Sequence, residues 1–314
     1  MNHPTPPRPA LVAALAAIYV FWGATFLAVR YAVLVVPPML IIMFRCAGGA
    51  LILFAWLAWR RELERTTWAE WRTAAIAGLL LFLGSHVSLA WAEQRMSSGQ
   101  AALFTSAIPL WIVLMESMKA RTMPTARVVL GIALGIVGVG VLAGGSALRA
   151  GLPSDRALVT VGAFCWAAGS LVGRHGARPT SAIQTTAMQL ACGALWVFTV
   201  SALRGDLAHF SLARLDLRTE LALLFLVLCG TVIAFGSFTW LLRVASPAAV
   251  SSYAFVNPMV ALALGVAVGD DVLTSRVILS AVLVIAAVVL TMVGAPSSRR
   301  ASESLVEQRL RAAT

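Results

Sequence analysis

Residues 44–54, FRCAGGALILF, and residues 188–198, MQLACGALWVF, carry five identities in eleven positions at an offset of 144. Working outward, the same offset pairs Trp22 with Trp166 and Arg30 with Arg174. Further along, an offset of 149 pairs Pro109 with Pro258 and Arg127 with Arg276. Two offsets in chain order point to a chain made of two copies of one unit. Both copies sit in a strongly apolar background: 60% of the 314 residues are hydrophobic and 12% are charged, with mean hydropathy +0.88. A soluble domain carries about 25% charged residues, so this chain has no polar face to turn toward water.

A helix crosses about 30 Å of hydrocarbon with roughly 20 apolar residues. That ruler predicts spans at 10–29, 38–58, 73–93, 98–118 and 127–146, then at 157–174, 182–203, 219–242, 247–268 and 275–294. The runs are too long and too unbroken for barrel strands. The fold class expected is an all-α membrane protein with ten transmembrane helices. Its parts are a cytoplasmic N-terminus (1–9), a first repeat (10–146), a second repeat (157–294) and a cytoplasmic tail (295–314). Five spans is an odd number, so the second repeat enters the membrane inverted. Inverted five-helix repeats are a transporter architecture, with the solute site at midplane between the halves.

The net charge of +11 invites a nucleic-acid reading, but the basic residues fall in short gaps between apolar runs and form no patch. With both termini inside, the cytoplasmic segments hold 15 Lys and Arg residues, against 8 on the other side and Arg45 within a span. This asymmetry predicts that both ends are cytoplasmic. The first apolar stretch lacks a short h-region with a cleavage site, so it is expected to stay as the first span. Cys46, Cys165, Cys192 and Cys229 all fall in apolar spans without ligand or disulfide spacing, and read as small packing residues.

Several ordered motifs resemble the EamA-domain permeases of the drug/metabolite transporter superfamily, in the bacterial YedA-like branch. They are IYVFWGATFLAVRYAV (18–33), PPMLIIMFR (37–45), AEQRMSSGQAALFTSAIPL (92–110), WAAGSLVGR (166–174) and VASPAAVSSYAFVNPMVALALG (244–265). The resemblance implies two inverted EamA repeats in a bacterial inner (plasma) membrane. It also implies a central cavity lined by helices 1, 3, 4, 6, 8 and 9, with helices 5 and 10 as outer scaffold. Export of amino acids or related small metabolites is the role it implies. The family often carries Glu between helices 4 and 5, where this chain has Arg121-Thr122-Met123-Pro124; the matching place in the second half holds Asp270-Asp271.

Candidate functional residues follow from depth. At about 1.5 Å per residue, Pro109 and Pro258 fall roughly 16 Å into their helices. There a proline frees a carbonyl and loosens the helix, as a gate or as a packing kink. Beside Pro258 lie Ser251, Ser252, Tyr253 and Asn257, polar enough to bind solute or to bond neighbouring helices. Asn257 is the foremost of these, because an amide both donates and accepts. His86 is the one histidine within a span. It is a candidate for solute binding or for carrying a proton in exchange; a neutral ring bonded to Ser85 or to a backbone carbonyl is the plainer reading. Trp22 and Trp166, equivalent in the repeat, are expected as opposite cavity walls or as packing. Arg45 is expected to pair with Glu93 or to snorkel toward the interface, with substrate binding as the sharper reading; Glu116 is expected to pair with Lys119 at i,i+3, with a coupling carboxylate as its alternative. Gly131, Gly135 and Gly138 suit close helix contact, either inside the fold or across a homodimer.

The partners expected are a small-molecule solute, a coupled proton and the lipid bilayer. No cofactor is expected. The lone lysine, Lys119, has no Gly-rich phosphate loop, and His3, His86, His175 and His209 lack metal-ligand spacing. An intramembrane hydrolase or lipid-modifying enzyme is the alternative, and it would need a nucleophile converging on His86.

Overall fold

A computed structural model describes residues 7–33, 35–92, 94–95, 104–143, 152–211, 215–268 and 274–294. Among them run ten helical rods, which we number in chain order. The first half holds α1 (Arg8–Ala32), α2 (Pro38–Arg60), α3 (Trp68–Ala92), α4 (Ile108–Ala120) and α5 (Ala126–Ala143). The second holds α6 (Pro153–His175), α7 (Ala182–Arg204), α8 (Leu217–Val244), α9 (Pro247–Ser251 and Tyr253–Val268) and α10 (Ser275–Gly294). Six of them, α1, α2, α3, α6, α7 and α8, contain a stretch long and apolar enough to cross a membrane. The apolar parts of α5 and α10, Ala126–Val141 and Ile278–Thr291, are shorter. Most of the first third of the expected fourth span, Glu93, Asp270, Asp271 and the tail 295–314 lie outside the described residues.

Polar side chains and special residues set the rod ends. Thr67 and Glu70 form a reciprocal capping box at the start of α3, with Glu70 accepting from the Thr67 N–H at 2.7 Å. Ser181, Asp216 and Ser246 accept from the backbone N–H three residues on, opening α7, α8 and α9. Pro38, Pro153 and Pro247 stand at the first helical positions, where a missing N–H costs nothing. Gly205 ends α7 at φ 78°, a left-handed conformation that suits glycine.

Two rods are not uniform. In α3 the stretch Leu79–Val87 is π-helical, and in α8 so is Leu226–Ile233. Their starts lie 147 residues apart, between the two repeat offsets, so the same distortion recurs at the same place in each half. Each holds a side chain that donates to the carbonyl five residues back: His86 Nδ1 to Leu81 at 2.9 Å, and Thr231 Oγ1 to Leu226 at 2.8 Å. A wide turn leaves such carbonyls partly unserved by the helix, and these side chains supply the missing donors.

The packing is two-fold in pattern. The pairs α2–α7 and α5–α10 each join equivalent rods of the two halves. α1 lies against α8 and α9, while its equivalent α6 lies against α3 and α4. Glycines permit the closest approaches. A Cβ on Gly78 would come within 2.8 Å of the backbone of α7, and one on Gly23 within 2.5 Å of Val260 of α9. The Gly131, Gly135 and Gly138 stripe of α5 is occupied within the fold, against Thr291, Phe255 and Leu283. Its three glycines are therefore not free to face a second copy. α5 and α10 share a small core with α9, made of Val139, Phe255, Val284 and Ala287, apart from the main one.

Candidate solute cavity

The main core is unusually aromatic at its centre. Trp22 of α1 and Trp166 of α6 meet edge to face with ring centroids 5.6 Å apart. Tyr253 lies 4.7 Å from Trp22, and Phe238 lies 5.2 Å from Trp22 and 5.5 Å from Trp166. His86 sits 5.0 Å from Trp166 and 5.6 Å from Phe82. The expectation of two tryptophans as opposite walls therefore gives way to the packing alternative: α1 and α6 pack on other rods, and the long indole side chains reach across until the rings touch and form one floor.

Above this floor is a cavity of about 270 Å³. Trp22, Thr25 and Phe26 of α1, Ile41, Ile42 and Arg45 of α2, and Ser85 and His86 of α3 contribute to it. So do Ile108 of α4, Trp166 of α6, and Tyr253, Asn257 and Pro258 of α9. Its walls reach Val33 at the end of α1, Pro38 at the start of α2 and Gln94 beyond α3. Those positions share one end of the bundle. The lining departs from expectation in one rod: α2 takes the place of α8. The π turn of α8 lies behind Arg45 and Trp22 and supports both. Trp22 Nε1 donates to the Gly230 carbonyl at 2.9 Å, and Arg45 Nε donates to Thr231 Oγ1 at 3.3 Å. Among the described residues, helices α5 and α10 contribute none to the lining.

The other sequence candidates divide. Tyr253, Asn257 and Pro258 line the cavity, whereas Ser252 and Pro109 do not. Ser252 donates to the Ala249 carbonyl at 2.6 Å and meets the Tyr19 hydroxyl, also at 2.6 Å. It ties the joint between the two parts of α9 to α1. With its nitrogen turned toward them, the Asn257 amide donates to the carbonyls of Tyr19 and Tyr253, each at 3.2 Å, which leaves the amide oxygen as an acceptor. His86 must donate through Nδ1 to the Leu81 carbonyl, so in the neutral ring Nε2 is an acceptor. No hydroxyl or thiol is bonded to His86 among the described residues, so the convergence a hydrolase would need is not formed there. Trp166 Nε1 approaches the Tyr253 hydroxyl without acceptable bond geometry, and both buried groups are left without a partner.

The opposite end of the bundle is closed by charge. Glu116, at the end of α4, accepts from His175 Nε2 at 2.7 Å and lies 3.9 Å from Arg174 Nε, both at the end of α6. The expected Glu116–Lys119 pair is thus corrected, because α6 lies within reach and offers two donors. Arg174 also donates to the carbonyls of Leu242 and Ala245, the latter at 2.9 Å, where α8 ends. Arg243 donates to the Thr180 carbonyl and the Thr185 hydroxyl, each at 2.6 Å. Glu64 accepts from the N–H groups of Thr180 and Ser181 at 2.8 Å. Sequence spacing could not find these contacts, because every one joins residues more than fifty positions apart in the chain. At the cavity end, Arg95 and Asp155 form a two-pronged pair between the end of α3 and the start of α6.

Comparison with known proteins agrees with this architecture. The inner membrane transporter YedA of Escherichia coli (strain K12) is 30% identical over 287 residues, covering 90% of this chain and 91% of YedA. Protein PecM of Dickeya dadantii is 25% identical over 292 residues, covering 91% and 94% of the two chains. A probable amino-acid metabolite efflux pump of Salmonella typhimurium is 24% identical over 285 residues, covering 88% and 93%. A crystallised protein superposes with a TM-score of 0.73 at 20% identity, over 92% of this chain and 98% of that one, which shows a shared fold. The profile described as the EamA-like transporter family matches twice, at residues 9–144 and 157–293, on either side of the junction drawn from the repeat. Two matched copies spanning nearly all of the rods place the chain in the EamA-like transporter family.

Proposed function

We propose that the protein is a secondary carrier that moves one small organic solute by alternating access, with the cavity above the Trp22–Trp166 floor as its binding site. The observation that carries this reading is the asymmetry of the bundle, open toward one end and latched by Glu116, Arg174 and His175 at the other. An inverted repeat has two equivalent packings of its halves, and exchanging them moves the opening to the other end. In this reading all ten rods cross the bilayer. The basic loops put the latched end in the cytoplasm, so the open end faces outward. Trp22, Trp166, Tyr253, His86 and Asn257 touch the solute. Ser252 acts through the α9 joint, and Pro109 and Pro258 loosen α4 and α9 as gate elements. Export is the direction, supported by the relative described as an efflux pump. His86 carries a coupled proton, since among the described lining residues it alone ordinarily titrates between about pH 5 and 8; Arg45 and Tyr253 line the same space.

The test compares metabolites in cytosol and medium of cells carrying the protein or an empty vector. The reading expects a narrow set of solutes to fall inside and rise outside. Accumulation inside would reverse the direction, and altered lipids with no solute flux would sink the carrier reading.

A further inference from the structure

Among the described residues Arg45 is the only formally charged side chain lining the cavity, with no Asp or Glu beside it there. It is 9% exposed, so it has not escaped toward a membrane surface. Its Nε bonds the Thr231 hydroxyl, and no carboxylate lies within ion-pair distance among the described residues. Gly230 keeps the space beside the guanidinium clear: a Cβ there would stand 3.4 Å from Nη2. A buried guanidinium without an opposite charge is costly unless water or a ligand serves its remaining N–H groups.

The other half shows that the charge is not a demand of the scaffold. At the repeat-equivalent place stands the neutral Gln189, 3% exposed and packed on Gly173. The inverted position is filled, while the position on the open side carries a cation facing a void. Close to Arg45 the cavity is apolar and aromatic, with Phe26, Ile41, Ile42, Trp22 and Trp166 on its walls and floor.

We propose that Arg45 is the specificity-determining residue of the cavity, and that the solute is a monoanionic organic acid whose carboxylate takes the guanidinium fork. Its apolar or aromatic body rests on the Trp22–Trp166 floor. A planar carboxylate matches the two-pronged donor geometry of arginine, which a lysine ammonium does not reproduce. An ammonium group finds no acidic counterpart among the described lining residues, so the site discriminates against amines. This inference rests on the carrier reading and narrows its substrate class.

The experiment uses the purified full chain in detergent and in proteoliposomes. Phenylacetate, phenethylamine and phenylalanine share a ring and differ in charge, and binding is read by quenching of tryptophan fluorescence. Phenylacetate binds with saturation, and phenethylamine does not. Phenylalanine binds more weakly than phenylacetate. Arg45→Gln weakens phenylacetate binding about tenfold or more, and Arg45→Lys recovers only part of it. Thr231→Val removes the supporting hydroxyl and keeps the charge, so it controls for loss of folding. Equal or better binding of phenethylamine or phenylalanine overturns the proposal. So does an Arg45→Gln protein that melts like the parent and binds phenylacetate as tightly, or a parent that does not bind phenylacetate. Solute export that persists in cells while phenylacetate binding is absent defeats this inference and spares the carrier. Binding that depends on Arg45 without flux in proteoliposomes defeats the carrier and spares the site.

Discussion

At the scale of single residues, hydrogen-bond accounting separates side chains that hold the fold from those that meet a solute. Ser252 donates and accepts within its own neighbourhood, and Trp22 has its indole N–H on Gly230. Arg45 keeps donors in reserve at the cavity, whereas the Trp166 N–H and the Tyr253 hydroxyl are buried with no partner among the described residues. Replacing Asn257 by Leu removes two bonds from α9 to nearby carbonyls, and should cost about 1–2 kcal/mol of stability, read as a lowered melting temperature in detergent. His86→Gln keeps a side-chain N–H that can reach the Leu81 carbonyl but cannot titrate. Transport by this variant should lose its pH dependence between about pH 5 and 8. An unchanged pH profile would end the assignment of the proton to His86.

Among elements, the two π turns do work that straight helices could not. The one in α8 turns the Gly230 carbonyl and Thr231 hydroxyl toward α1 and α2; the one in α3 sets His86 against Trp166. Nothing in the apolar strings LLLFLGSHV and LVLCGTVI marks them from the chain alone. A second arrangement at this scale is the α5–α10 pair, which stays off the cavity and holds α9 through Phe255. A Cβ on Gly135 would meet the Phe255 ring at 2.6 Å. Gly135→Leu should therefore push α5 and α9 apart and destabilise the protein by about 1–3 kcal/mol, measured by thermal melting. Solute affinity should fall with it, because α9 carries Tyr253 and Asn257.

On the scale of the whole molecule, the closed end ties the two halves together through Glu116 and Glu64, so it can bias which packing is populated. Glu116→Gln leaves the geometry and removes the charge facing Arg174 and His175. Each of the three is partly exposed, which limits the effect to about 1 kcal/mol, or roughly fivefold in the balance of the two states. In a cysteine-free background, Val33→Cys at the cavity mouth should react with a membrane-impermeant maleimide added outside intact cells. Adding Glu116→Gln should slow that labelling as the opening moves to the other side. Labelling that is unaffected would show that the latch does not weight the two states.

Class, duplication and family were legible in the order of residues. Span length is a local property of a helix in lipid, and a repeat survives as matched residues such as Trp22 and Trp166 or Pro109 and Pro258. Charge asymmetry between loops is equally local. The site was half legible: His86, Trp22, Trp166, Tyr253, Asn257 and Pro258 come together, while Arg45, read from the sequence chiefly as a structural pair with Glu93 or a snorkelling residue and secondarily as a substrate ligand, lines the cavity, with Glu93 outside the described residues. What the sequence left open was the rotation and neighbour of each rod. In an apolar medium all faces of a hydrophobic helix read alike, because lipid does not sort them as water does. Only packing between rods far apart in the chain decided that α2 lines the cavity, that the two tryptophans touch, and that Glu116 reaches α6.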